Sequence, residues 1–285
     1  MPGSKAAALR RLLDGPGLVR AAGAHNGLTA RLVEQAGFDA VWASSFEVSA
    51  SYGLPDASLV TMTQYLAAAE AMEAVVDIPV IADCDTGFGG PLNVAHMVRS
   101  YRRRGIAAVC FEDKTFPKAN SLSDAEHELI STDRFVAKIR AAVRAREDGD
   151  LVLIARTEAL IAGFDVDEAL HRGRAYARAG ADAVLVHSKD PGPERVLKAA
   201  ALWDEPAPLV VVPTTYGHVS EDTLHEAGVR VVIYANQGLR ALVGGVSRTL
   251  RDLRRHGRAD AVDQDIVPVS DIFALQRSPD AENPS

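Results

Sequence analysis

Asp83, Asp85, Glu112 and Asp113 stand at or just behind two short apolar runs, and Asp56 lies in the polar stretch that follows another. Carboxylates gathered on one rim repel one another unless a cation neutralises them. Asp83, Asp85 and Glu112 offer oxygen alone, and no cysteine or histidine pair stands at zinc spacing, so the ion implied is hard and divalent, magnesium or manganese. Magnesium keeps several waters, so Asp85 is expected to bind it directly and Asp83 and Glu112 mostly through water. Any one of these aspartates could equally be a helix N-cap. That reading does not explain acids at successive strand ends.

Arg156, His187, Lys118 and Asn120 supply the complementary donors, suited to a phosphate or carboxylate, with arginine able to grip two oxygens at once. The substrate implied is small and anionic. Taken singly, His187 and His25 read just as well as ordinary strand-end histidines. Gly87-Phe88-Gly89-Gly90 lacks the Lys-Ser/Thr ending of a phosphate-binding loop and reads as a tight turn.

Elements that could bring these groups together are visible in the periodicity. Apolar runs alternate with amphipathic runs at intervals of roughly 25 to 35 residues, the mark of repeated βα units. Strands are expected at Leu18–Gly23, Ala40–Ser44, Val80–Asp83, Ala107–Phe111, Leu151–Arg156, Ala183–Val186, Leu209–Val212 and Val231–Tyr234. The intervening helices are expected at Leu28–Gln35, Thr63–Ala74, Asn93–Arg104, Asp133–Arg146, Asp167–Ala179, Pro193–Leu202, Glu221–Glu226 and Gln237–Arg255, with Gly37, Gly105, Gly180 and Gly228 as stops. This pattern predicts a (β/α)8 TIM barrel, a single domain spanning residues 1–285, with a helical extension over about 256–276 and a frayed polar tail. In such a barrel the site is built at the strand ends. Ser44, Ser45, Lys114, Glu158, Ser188, Thr214, Thr215 and Asn236 share those ends with the residues already named.

Composition narrows the partners. The 285 residues are 47% hydrophobic, enough for a sizeable core, and the net charge of −7 is spread along the chain. Arg102-Arg103-Arg104 at a helix end is the longest basic run, so no nucleic-acid footprint exists. Cys84 and Cys110 lie in apolar runs and suit a reducing cytosol. No stretch approaches about 18 uninterrupted apolar residues, so no membrane span is expected and the location predicted is cytoplasmic.

The segment Glu112–Ser121, EDKTFPKANS, resembles the EDKxFPKxNS signature of phosphoenolpyruvate mutases in the isocitrate lyase and phosphoenolpyruvate mutase superfamily. Resemblance extends through GAHNGLTARLVEQAGFDAVWAS, SYGLPDAS, DCDTGFG, ARTEALIAG, AGADAVLVHSK, VVVPTTY and IYANQGLRA. It implies a magnesium-dependent intramolecular phosphotransferase that interconverts phosphoenolpyruvate and 3-phosphonopyruvate, as in phosphonate biosynthesis. By position it implies magnesium at Asp85, with Asp83 and Glu112 holding its water. Asp56 would lie close to the transferring phosphorus, as transient nucleophile or electrostatic guide. Arg156 and His187 would contact the phosphoryl group and enolate, while Lys118 and Asn120, followed by Ser121, would belong to a gating loop at the substrate. Trp42 and Ser44 would line the pocket, and the amides of Ser45 and Phe46 would bind the substrate carboxylate. The resemblance also implies a homotetramer, a dimer of dimers with its eighth helix swapped between subunits.

Two departures stand out: Ser45 replaces a usual glycine, and Glu126-His127-Glu128 replaces a common Gly-Arg pair after the loop. Phosphonopyruvate hydrolase is the nearest alternative, and it tends to carry threonine in the gating loop, where Asn120-Ser121 favours the mutase. A carbon–carbon lyase of the superfamily would place a cysteine where Lys118-Ala119-Asn120 stands. A barrel that kept the fold and lost its reaction would not account for the full set of acids and donors.

Overall fold

The structure is a computed structural model that describes residues 3–147 and 149–276. Its first elements are helix α1 (Lys5–Asp14), strand β1 (Val19–Ala24), α2 (Gly27–Gln35), β2 (Ala40–Ala43), α3 (Ser45–Ser51), α4 (Met62–Glu73) and β3 (Val80–Asp83). Then come α5 (Pro91–Arg102), β4 (Ala108–Glu112), α6 (Thr132–Arg146), β5 (Val152–Thr157), α7 (Val166–Arg178) and β6 (Ala183–Val186). The chain continues through α8 (Glu194–Ala201), β7 (Leu209–Val211), α9 (Glu221–Glu226), β8 (Val229–Tyr234), α10 (Gln237–His256) and α11 (Val269–Gln276), with a 3-10 turn at Ala259–Val262. All neighbouring strands pair in parallel, and β1 pairs with β8, closing the sheet in the order β1 to β8. This is the expected (β/α)8 barrel.

Parallel strands covered on both faces must be apolar on both, which is why runs such as Ala183–Val186 show no alternation. Trp42, Ile81, Cys110, Ile154, Leu185 and Val210 share the barrel's inner cluster, whereas Val41, Val80, Val109 and Leu153 join the layer beneath the helices. Asn26, Thr61, Ser131, Asp165 and Ser220 cap their helices by accepting a backbone N–H, so turns ending in these residue types set where helices begin.

Two helices were not anticipated. Helix α1 sends Ala6 and Leu9 into the inner cluster, and Arg10 donates to the carbonyls of Asp150 and Leu151 at the entry to β5, so α1 plugs the N-terminal mouth. Helix α3 is seven residues long and carries Ser-Phe-Glu-Val-Ser-Ala-Ser, in which no apolar stripe marks a helix.

The chain divides into two compact units, Met1–Asn236 and Gln237–Ser285. In the second, Leu242, Val243, Val246 and Leu250 of α10 are exposed, and the 3-10 turn packs on α10. The expected frayed tail, Arg277–Ser285, lies outside the described residues. Among the described residues no helix is long and apolar enough to cross a membrane.

Candidate active site

The C-terminal strand ends enclose a cavity of about 60 Å³. It gathers Asp56, Lys118, Asn120, Arg156 and His187, together with Trp42, Ser44, Ser45, Phe46, Ser121 and Asp83. Asp85 and Glu112 lie behind this lining and are almost wholly buried. Thr214 and Asn236, from the ends of β7 and β8, complete the wall; both were visible as strand-end residues, but nothing in their spacing singled them out.

The acids are held by local backbone geometry. Asp83 ends β3, and its Oδ1 accepts the amide of Asp85 at 3.3 Å. Asp85 has φ of 49° and is followed by Gly87 at 82° and Phe88 at 59°, a left-handed path that turns the chain sharply after the strand. The Glu112 amide donates to the Asp85 carbonyl at 2.8 Å, which ties the ends of β3 and β4 together. Burial, with Asp83 and Asp56 nearby, pushes the Asp85 carboxyl up to about 6 against the opposing pull of Lys118.

Lys118 is the cation that the structure supplies to Asp56 and Asp85. Its ammonium lies 3.0 Å from Asp56 and 2.8 Å from Asp85. Burial alone would lower it, but Asp85, Asp56, Glu112 and Asp83 hold it well above the usual lysine range. The Asn120 amide donates to Asp56 Oδ2 at 2.7 Å. Thus Lys118 and Asn120, on the segment after β4, both fasten that segment over the cavity through Asp56.

The hydroxyl of Ser45, in the position of a usual glycine, donates to Asp83 at 2.7 Å and lies 3.2 Å from Lys118. It faces the acids. Ser44 caps α3 by accepting the Glu47 amide at 3.2 Å. Behind it His25 and Glu47 form a buried pair at 3.2 Å. Gly23 is required there, since an added Cβ would stand 2.4 Å from the Ala235 carbonyl oxygen and 2.5 Å from Glu47. The Glu126-His127-Glu128 departure runs back beside the segment after β4, where the Thr115 amide donates to the Glu128 carbonyl at 2.9 Å and Lys114 bridges to Leu129.

On the opposite wall Arg156 meets Glu112 at 3.1 Å and Glu158 at 2.6 Å. His187 Nδ1 lies 2.7 Å from Arg156 and 2.9 Å from Glu158, accepting from the first in one tautomer or donating to the second in the other, and Nε2 is the nitrogen left for the cavity. Burial first, then the Arg156 guanidinium, lowers the His187 pKa.

The acid set offers a divalent ion oxygen donors alone. Oδ1 of Asp56 and Oδ1 of Asp85 take the Lys118 ammonium at 3.0 and 2.8 Å, while Oε1 of Glu112 is buried without a hydrogen bond, so an ion held here would share the first two with Lys118. Among the described residues no three acids or imidazoles stand close enough to hold a metal alone.

Residues 9–254 match the profile of the phosphoenolpyruvate phosphomutase family. The chain belongs to that family. The phosphomutase-type barrel is also found, at TM-score 0.94 and 54% identity over 95% of this chain and 94% of the other, in a crystal structure of phosphoenolpyruvate phosphomutase from Streptomyces platensis subsp. rosaceus. Phosphonopyruvate hydrolase from Variovorax sp. (strain Pal2) is 46% identical over 275 residues, 96% of this chain and 95% of that protein. A phosphonopyruvate hydrolase crystallised with oxalate and Mg++ matches at TM-score 0.91 and 44% identity, covering 96% of this chain and 95% of its own. The protein is therefore an enzyme of the phosphoenolpyruvate mutase superfamily, with both a mutase and a hydrolase among its near relatives.

Proposed function

We propose that this enzyme is the mutase and interconverts phosphoenolpyruvate and 3-phosphonopyruvate with magnesium. The observation that carries the reading is Asn120, whose amide reaches Asp56 at 2.7 Å from the segment that roofs the cavity. A mutase must keep the phosphoryl group from water between breaking the P–O bond and forming the P–C bond, because a loose, metaphosphate-like group is readily hydrolysed. The two bonds exchange within one molecule, and no proton is gained or lost.

The chain's own groups divide the work. Arg156 and His187 grip the phosphoryl oxygens, while the Ser45 and Phe46 amides orient the carboxylate against Trp42 and Ser44. Lys118 and Asn120 close the roof. Asp56 accepts from both Lys118 and Asn120, which draws charge from its oxygens and supports an electrostatic guide over a nucleophile. Asp85 would hold magnesium directly, with Asp83 and Glu112 through its water, and the ion supplies positive charge where enolate charge develops.

The hydrolase reading is favoured by the 46% identity to the Variovorax hydrolase. Phosphorus NMR of the protein with phosphonopyruvate and magnesium separates the two. Phosphoenolpyruvate without free phosphate is the expected result; inorganic phosphate with pyruvate would assign the hydrolase.

The reading extends to assembly and location. Leu242, Val243, Val246 and Leu250 leave a stripe of α10 exposed, which supports an eighth helix that packs on a second copy in a homotetramer. Two free buried cysteines suit a reducing cytosol.

A further inference from the structure

Glu158 is 0% exposed and has four side-chain partners, of which only its neighbour Arg156 is visible in the sequence spacing. One oxygen, Oε1, accepts from Arg156 Nε at 2.6 Å and lies 2.9 Å from His187 Nδ1. The other, Oε2, accepts from Ser121 Oγ at 2.5 Å and pairs with Lys114 at 2.8 Å. Its amide donates to Asp113 Oδ1 at 2.9 Å, and Asp113 Oδ2 is held in turn by Tyr176 at 2.7 Å and Arg172 at 3.2 Å, which fixes the carboxylate's base to α7.

Ser121 completes the link. Its hydroxyl donates to Glu158 and accepts from Lys114 at 2.5 Å and Arg156 at 3.0 Å. One donated and two accepted bonds exhaust a hydroxyl, so Ser121 has nothing left for a substrate although it lines the cavity. Lys114 also donates to the Ala119 carbonyl at 3.0 Å, inside the lid.

We propose that Glu158 is a positioning residue and, with Ser121 and Lys114, forms a latch that joins lid closure to the alignment of Arg156 and His187. One oxygen of the carboxylate holds the anion-gripping pair and the other holds the lid, so neither can move without disturbing the other. Simple packing does not explain the arrangement. Apolar residues of equal volume commonly serve stability as well as a buried charge cluster does, so the cluster points to orientation. The inference rests on the reading of Arg156 and His187 as phosphoryl ligands, but the latch itself is open to a measurement that needs no turnover.

The test compares Ser121→Ala, Glu158→Gln, the double variant and Ser121→Thr with the wild type. Total consumption of phosphonopyruvate with magnesium gives kcat and KM whichever product forms, and hydrogen–deuterium exchange follows residues 114–122. Both single variants should lower kcat about tenfold or more while KM moves less than about threefold. The double variant should be no worse than Glu158→Gln within about threefold, because both changes break one connection. Exchange in the lid should accelerate in both single variants, and Ser121→Thr should restore both readouts. Ser121→Ala leaves the buried ion pairs intact, so it carries the test even if Glu158→Gln folds poorly. Wild-type kcat and lid exchange in Ser121→Ala, or losses that multiply independently, would overturn the latch. A wild type that consumes no phosphonopyruvate would count against the functional reading alone, and the exchange data would still decide the latch.

Discussion

Asp85, Asn120 and His187 each carry a separate, measurable consequence. Asp85 is the residue proposed to hold magnesium directly, and its buried carboxylate pairs with Lys118 at 2.8 Å, so Asp85→Ala should abolish turnover and also cancel any rise in melting temperature on adding magnesium. In the wild type, magnesium at about 100 times its dissociation constant should stabilise the fold by about 2.7 kcal/mol. Differential scanning fluorimetry with and without the ion reads this directly. Asn120→Thr should slow phosphoenolpyruvate formation relative to phosphate release, and the ratio of the two phosphorus signals measures it. The His187 pKa is lowered by burial and by Arg156, so the folded protein keeps this imidazole neutral where the unfolded chain would take up a proton. Below roughly pH 6.5 the unfolded state binds more protons at this residue, so the contribution of His187 to stability falls as pH falls. His187→Gln should flatten that part of the melting-temperature profile between about pH 7 and 5.5.

Among the elements, the two missed by periodicity are instructive. Helix α1 seals the barrel floor through Leu9, which is 0% exposed, and Leu9→Ala should cost about 2–5 kcal/mol because the rigid strands around it cannot collapse into the void. A urea titration with an unchanged slope and a lower midpoint would be the signature of such a loss. Its amphipathic Lys-Ala-Ala-Ala-Leu-Arg-Arg-Leu-Leu run was present in the sequence; a barrel pattern built of strand-to-helix units gave no reason to seek a helix before the first strand. Helix α3 was hidden for a different cause. Its buried Ser45, Glu47 and Ser49 find polar partners from other elements, so burial there is achieved without an apolar stripe. Strand ends were legible to within one or two residues, and Val80–Asp83 and Ala183–Val186 coincide with β3 and β6.

At the scale of the whole molecule, ring closure puts Asp83, Arg156 and His187 around one opening although up to about a hundred residues separate them in the chain. The exposed stripe on α10 predicts an assembled protein: light scattering after gel filtration should give a tetramer, and Val246→Glu with Leu250→Glu should shift it to smaller species. Retention of the tetramer by that double variant would remove α10 from the interface.

Some of this was determined by the sequence alone. Alternating strand and helix periods demand a parallel sheet with short connections, and eight such units match a closed barrel, so acids behind β3 and β4 and donors behind β5 and β6 had to meet at one mouth. The tertiary structure alone decided which partners those side chains take. It placed Lys118 between Asp56 and Asp85, turned Ser45 toward Asp83, and spent the Ser121 hydroxyl on Glu158, Lys114 and Arg156. The reason is physical: residue type and period fix which face a side chain leaves from, whereas a hydrogen bond depends on tenths of an ångström set by every element packed around it.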